Sequence, residues 1–340
     1  MSRVTERRVR APAVVLVLFL STLAGCGGDQ SALEPRSRAS SDIATLWWWM
    51  LLVACVVFAG ALGLIGIAWL RRRRPGLPVA GEERPKLNLG LVIVFGIVIP
   101  VVVNVALFVI ANFVVIKQTE APAATTTPVT IEVTGRQWFW EVRYPGADVV
   151  TANEIHIPAR TRVNLVGVTG DVIHSFWVPQ LNRKIDMIPG RRNRILLYAD
   201  EPGRYRGQCA EFCGLQHAHM AMYVEAQEPA DFQRWLREQA APAKPPATAG
   251  ARAGAKAFSD DGCASCHTIR GTGANGQVGP DLTHVGSRAT IAALTLPNDS
   301  AALAEWLRDP QHSKPGNRMP DLDLSQRDIM ALVSYLEGLK

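Results

Sequence analysis

Residues 209–220 read CAEFCGLQHAHM, with Cys209 and Cys213 four apart, His217 four further on and Met220 three beyond that. A loop with this spacing brings two thiolates, an imidazole and a thioether to one place. His174, upstream in HSFWVPQ, adds a second imidazole. Copper in electron-transfer sites favours soft sulfur with imidazole and a weak thioether. One cysteine suffices for a single blue-copper ion, so two invite a pair of copper ions bridged by both sulfurs. Zinc also takes Cys and His, but it has no use for the methionine. A Cys209–Cys213 disulfide describes only the metal-free, oxidised chain. Further on, residues 263–267 read CASCH, a haem-attachment motif. The sequence thus points to two kinds of redox centre.

Around the copper loop the chain breaks into short runs with strand character: VTIEVTG, QWFWEVRYP, NEIHIP, RVNLVGV, RILLYAD and MAMYVEA, over residues 128–230. Pro145-Gly146, Pro189-Gly190 and Pro202-Gly203 punctuate them. Many short strands with turn signals between them predict an all-β sandwich or barrel. HSFWVPQ and the CAEFC loop are read as falling between strands, where loops on a rigid scaffold carry function.

Towards the N-terminus, Arg3, Arg7, Arg8 and Arg10 precede an apolar run and then Leu23-Ala24-Gly25-Cys26. This predicts a secretory signal peptide over 1–25. Its LAGC ending resembles a bacterial lipobox, which implies cleavage before Cys26 and lipid on its sulfur. Two further apolar stretches, 46–70 and roughly 89–116, are long enough to span a bilayer, giving a transmembrane hairpin within 40–120. Trp47-Trp48-Trp49 suits an interfacial belt, and Arg71 to Arg74, Arg84 and Lys86 place the connecting loop in the cytoplasm. Cys55, mid-span, reads as a small packing residue. Asn104 and Asn112 are expected to face protein rather than lipid.

Charge excludes one class of partner. Residues 1–74 carry ten Lys and Arg against four acids, 128–240 carry thirteen of each, and 250–340 carry nine against ten. The basic surplus flanks the membrane segments and forms no face for nucleic acid.

After an Ala/Pro/Gly run read as a linker over 240–255, the last segment (256–340) predicts a small helical domain. Cys263 and Cys266 can form thioethers to a haem, with His267 as the proximal iron ligand. Met319, followed by Pro320, fits the distal ligand. Met330 is the rival, but Ile329, Leu332, Val333 and Leu336 form the apolar helix face and leave it off-phase. A His/Met pair raises the potential of an electron carrier and leaves no open site for oxygen.

GRQWFW, HSFWVPQLNRKIDMIPGR and GQCAEFCGLQHAHM, with the preceding hairpin, resemble subunit II of the haem–copper cytochrome c oxidases over roughly residues 46–228. CASCH with GPDLTHVGSR and NRMP resembles class I cytochrome c domains, and the fusion resembles the caa3 type. That resemblance implies a dinuclear Cu(A) centre in a cupredoxin fold. Cys209 and Cys213 would bridge the two coppers, and His174 and His217 would each bind one. Met220 would be a weak ligand and Glu211 would contribute its carbonyl, its side chain also binding magnesium at the border with subunit I. Trp138 matches the family's aromatic residue where electrons enter. The implied partners are subunit I with its haem a and Cu(B), subunit III, a cytochrome c or other haem-protein donor, and the lipid of a bacterial cytoplasmic membrane. Both redox domains would lie on its periplasmic face. The alternative is the small subunit of a Cu(A)-containing nitric oxide reductase, which an oxygen-uptake assay separates. One departure is that LNLGLVIVFGIVIP lacks the glutamate the family often places at a proton path.

Overall fold

The computed structural model describes residues 28–72, 85–121 and 127–340. The expected signal peptide, Cys26 and most of the basic loop between the spans lie outside the described residues.

Two units emerge, Arg38–Glu120 and the remainder. In the first, helix α1 (Arg38–Arg72) is followed by α2 (Pro85–Ile93) and α3 (Ile99–Ile110). A π-helical turn, Val94–Val98, joins α2 to α3, and a second, Ala111–Ile116, follows α3. The stretches Arg38–Leu70 and Asn88–Ile116 are long and apolar enough to cross a membrane. Their large apolar side chains stand exposed, as a helix solvated by lipid requires. Asn104 and Asn112 satisfy part of their polarity within the helix. Each donates its amide to the carbonyl four residues earlier, Pro100 and Phe108, at 2.8 Å.

The second unit begins with ten strands in two five-stranded sheets. They are β1 (Val129–Arg136), β2 (Phe139–Tyr144), β3 (Val149–Ala152), β4 (Glu154–Pro158), β5 (Val163–Thr169), β6 (His174–Trp177), β7 (Ile185–Met187), β8 (Asn193–Leu197), β9 (Gly203–Cys209) and β10 (Ala221–Gln227). One sheet runs β3-β2-β1-β5-β8 and the other β4-β10-β9-β6-β7. The β1–β5 and β10–β4 pairs are parallel and the rest antiparallel. Alternation puts Ile131, Val133, Leu165, Ile195, Met222 and Val224 into one core. Trp140 meets Phe176 edge-on there at 5.8 Å. Each fully buried aliphatic side chain contributes about 1.5–3 kcal/mol, so the sandwich is a stiff frame for its loops. Helix α4 (Pro229–Ala240) closes one end with buried Phe232, and Trp235 stacks on His156 at 3.9 Å.

HSFW is not a loop but strand β6, paired on both sides by β7 and β9. Four residues are too few for a period to show, and β9 hides its alternation behind two glycines and two arginines. The expected linker is also shorter than read. Helix α5 (Ala249–Asp260) starts inside it, capped by the Thr248 hydroxyl accepting from Ala251 N at 3.0 Å. Its small residues are packing choices. A Cβ on Gly254 would fall 2.0 Å from the Ala331 carbonyl, so glycine lets α5 close on α8 (Gln326–Glu337). Between them run α6 (Ser300–Arg308) and the short α7 (Pro310–Ser313).

Candidate copper and haem sites

The copper loop is pinned at its mouth, where Cys209 N donates to Met220 O at 2.9 Å and Ala210 N to Ser175 O at 2.9 Å. Strand pairing sets Phe176 opposite Cys209, and this brings His174, at the head of β6, against the loop. Cys209 Sγ lies 3.8 Å from Cys213 Sγ, 3.8 Å from His174 Nδ1 and 3.2 Å from the Glu211 carbonyl. Cys213 Sγ lies 3.6 Å from His217 Nδ1 and 3.8 Å from Met220 Sδ. The structure thus brings all six expected ligand groups together, with the sulfurs too far apart for a disulfide. His174, Cys209, Cys213 and Met220 are buried, whereas the Glu211 side chain is exposed.

Sequence reasoning missed the residues that hold these ligands. Asp171 accepts His174 Nε2–H at 2.8 Å and the backbone N–H groups of Gln137 and Val172 at 2.7 Å. A carboxylate can only accept, so Nε2 carries a proton and Nδ1 is left to face the sulfurs, an orientation typical of metal-bound histidines. Burial is the largest influence on His174 and pulls it down, yet Asp171 and Cys209 together hold it above the ordinary histidine value. The hydrogen bond from Cys213 holds Cys209 far below the usual thiol range, and the same bond pushes Cys213 up. Two buried sulfurs with imidazole and thioether are a donor set that fits copper.

Gly135 is the second missed residue. A Cβ there would sit 2.7 Å from His174 Cδ2. Gly135→Ala is expected to push the imidazole out of line and to destabilise the domain by about 1–3 kcal/mol. Copper content of the purified protein and its Tm should both fall, and full copper loading at an unchanged Tm would contradict the geometry.

Trp138 is half-buried, and its indole Nε1–H donates to the Cys213 carbonyl at 2.9 Å. Gln137 Nε2 donates to the same oxygen at 2.8 Å. Gly214, at φ +114°, keeps room for the ring, since a Cβ would lie 2.9 Å from Trp138 Cζ2. Of the other histidines, His219 bonds Gln216 at 2.7 Å away from the sulfurs. His284 is buried and bonds the Ala241 carbonyl at 2.9 Å.

In the C-terminal domain, Cys263–Ser265 form one tight turn entered through Gly262 at φ +84°. His267 Nδ1 lies 2.8 Å from the Pro280 carbonyl, which fixes the proton on Nδ1 and leaves Nε2 bare. Burial holds the imidazole below its ordinary value, so it is neutral and ready to ligate. Gly279 makes the approach possible, because a Cβ would meet His267 Cε1 at 2.4 Å. Arg288 is half-buried, and its buried Nε has no partner among the described residues. An orphaned buried donor costs about 1–3 kcal/mol, and a haem carboxylate would satisfy it. Met319 lies against the domain's core, whereas Met330 is 53% exposed. The residues fit a covalently held haem.

Known proteins resemble both domains. Residues 147–227 match the profile of the cytochrome c oxidase subunit II periplasmic domain, and 251–340 match that of cytochrome c. The chain is 34% identical over 339 residues to a cytochrome c oxidase subunit 2 of Alkalihalophilus pseudofirmus, spanning 97% of this chain and 96% of that one. It is 31% identical over 223 residues to the Bacillus subtilis protein of the same name, spanning 62% of each. A crystal structure of the periplasmic domain of Bradyrhizobium japonicum cytochrome oxidase subunit II is similar at 31% identity. It covers 34% of this chain and 94% of that one, with a TM-score of 0.33.

Proposed function

We propose, for a chain that belongs to the cytochrome c oxidase subunit II family, that the residues around Cys209 and His267 are its two redox sites. The chain is the electron-receiving subunit of a haem–copper terminal oxidase, a membrane protein with a periplasmic domain that works with subunit I. When bound, haem c and Cu(A) each store and release one electron at a time, linking a cytochrome donor to the oxygen-reducing centre of subunit I.

The chain's own residues hold these groups still. Cys209, Cys213, His174, His217, Met220 and the Glu211 carbonyl would hold the copper. Asp171 fixes the His174 ring, while Trp140 and Phe176 pack beside the site and keep water out. Rigid ligands matter because an electron carrier must change geometry little between its two states. Cys263 and Cys266 would anchor the haem, and His267 and Met319 would hold its iron. The exposed Glu211 carboxylate would take magnesium at the subunit I border. Exposed Val172, Ile173 and Phe212 form an apolar rim at the copper loop, of the kind a partner covers. Subunit III, a cytochrome c donor and a bacterial cytoplasmic membrane complete the reading.

The single observation that carries this is the convergence of six ligand groups on one buried point beside a second, haem-competent domain. Optical and electron paramagnetic resonance spectra of the purified complex test it. Haem c and a mixed-valence copper pair in one preparation are expected. A zinc-containing or copper-free protein with full oxidase activity would contradict the assignment.

A further inference from the structure

Lys314 belongs to the C-terminal domain, yet its side chain ends against the copper domain. It is 3% exposed. Its Nζ donates to the carbonyls of Trp138 at 2.9 Å, His219 at 2.7 Å and Ala292 at 3.1 Å. The first two belong to the copper domain and the third to the haem domain. No carboxylate pairs with it among the described residues. Burial of a lone ammonium is costly unless every N–H is bonded, and three carbonyls match its three donors. An expense of that size is kept only where the position matters.

The contacts around it belong to the same face. Gln216 donates its side-chain amide to the Pro315 carbonyl, and Arg318 donates to Gln137 Oε1. Gly316, at φ +78°, admits Leu215, since a Cβ would stand 2.7 Å from Leu215 Cδ1. The segment Lys314–Arg318 leads directly into Met319. It rests on Gln137 and Trp138, the two residues that bond the Cys213 carbonyl, and on the Gln216–His219 turn that carries His217. Elsewhere between the domains, Arg270 bonds the carbonyls of Asp148 and Ala240 at 3.2 and 3.3 Å. Ala289 N donates to Glu154 at 2.7 Å. Those bonds add to the contact between the two domains, and Lys314 is its buried point beside the copper loop.

We propose that Lys314 is the positioning residue that docks the haem domain, Met319 segment first, onto the Trp138 face of the copper loop and so sets the internal electron-transfer step. The inference rests on the two-site reading above. The step itself oxidises the haem iron by one electron and reduces the copper pair by one, with no bond made and no proton moved. Covalent linkage alone supplies a high effective concentration, and the Lys314 contacts convert that nearness into one fixed arrangement. A donor from outside then meets the haem domain instead of Trp138.

The test uses the intact complex carrying Lys314→Met, which keeps the stem and removes the three donors. Lys256→Met, on an exposed turn of α5, serves as control. Amide hydrogen exchange over residues 137–139 and 215–220 reads the docking itself. Electron transfer from photoreduced haem c to the copper pair reads its consequence. The proposal expects exchange in both segments to rise, and transfer to slow, by about tenfold or more. The haem c and copper spectra should stay as in the parent. Unchanged exchange and transfer in Lys314→Met would overturn it. A disturbed haem spectrum with unchanged exchange at 137–139 would also overturn it, since Lys314 would then serve only the folding of the haem domain. Absence of copper or haem c from the parent complex would refute the two-site reading instead.

Discussion

Cys209→Ser is expected to empty the copper site and stop turnover, while the C-terminal domain keeps its haem. Serine removes the sulfur that lies within 3.8 Å of both Cys213 Sγ and His174 Nδ1 and replaces it with a hard hydroxyl that binds copper weakly. Changing only the groups that orient a ligand costs about 10–100-fold in metal affinity or activity. Loss of a bridging ligand should therefore lower oxygen uptake with a reduced cytochrome donor by more than about 100-fold. Copper analysis and the paramagnetic signal of the pair should fall together, with the haem c absorbance intact. Cys55→Ser, exposed along α1, is the matched control and should change neither. Normal turnover in Cys209→Ser would remove the copper loop from the electron path.

Met319→Ala has the second-largest effect, and it is expected at the other site. Cys263, Cys266 and His267 remain, so the haem stays attached, but it loses the thioether that raises its potential. The potential should drop by more than about 120 mV, roughly a hundredfold in the equilibrium with an external donor at 59 mV per decade. Filling the haem then limits the rate, and turnover with cytochrome donors slows while the copper spectra stay unchanged. Met330→Ala should leave potential and turnover alone, because that side chain points to solvent at 53% exposure. An unaltered haem spectrum in Met319→Ala would return the ligand role to another residue.

The candidate ligands were legible because metal chemistry restricts residue type and loop spacing at once. Both cysteines, both histidines and Met220 could be named from the sequence, as could the CASCH turn. The sandwich was legible in outline, since its longer strands alternate. Strand β6 was not, because HSFW is too short for a period and its pairing comes from distant chain. Asp171, Gly135 and Arg288 share another reason. Their roles depend on what lies across the fold from them, and a Gly beside an imidazole or an Asp three residues before a His looks ordinary in one dimension. The Ala/Gly run at 249–255 misled by composition alone, which is the same for a flexible tether and for a tightly packed helix face. Lys314 was hidden most completely, since only the docking of two domains buries it.

The most direct measurement of the central claim is time-resolved absorbance of the intact complex after a single electron is injected into haem c. The account predicts that haem c oxidation and copper-pair reduction proceed with one shared rate constant that does not depend on protein concentration. It also predicts that this phase disappears in Cys209→Ser and persists in Cys55→Ser. Oxidation of haem c at an undiminished rate in Cys209→Ser, or at a rate proportional to protein concentration, would contradict a relay built into one chain.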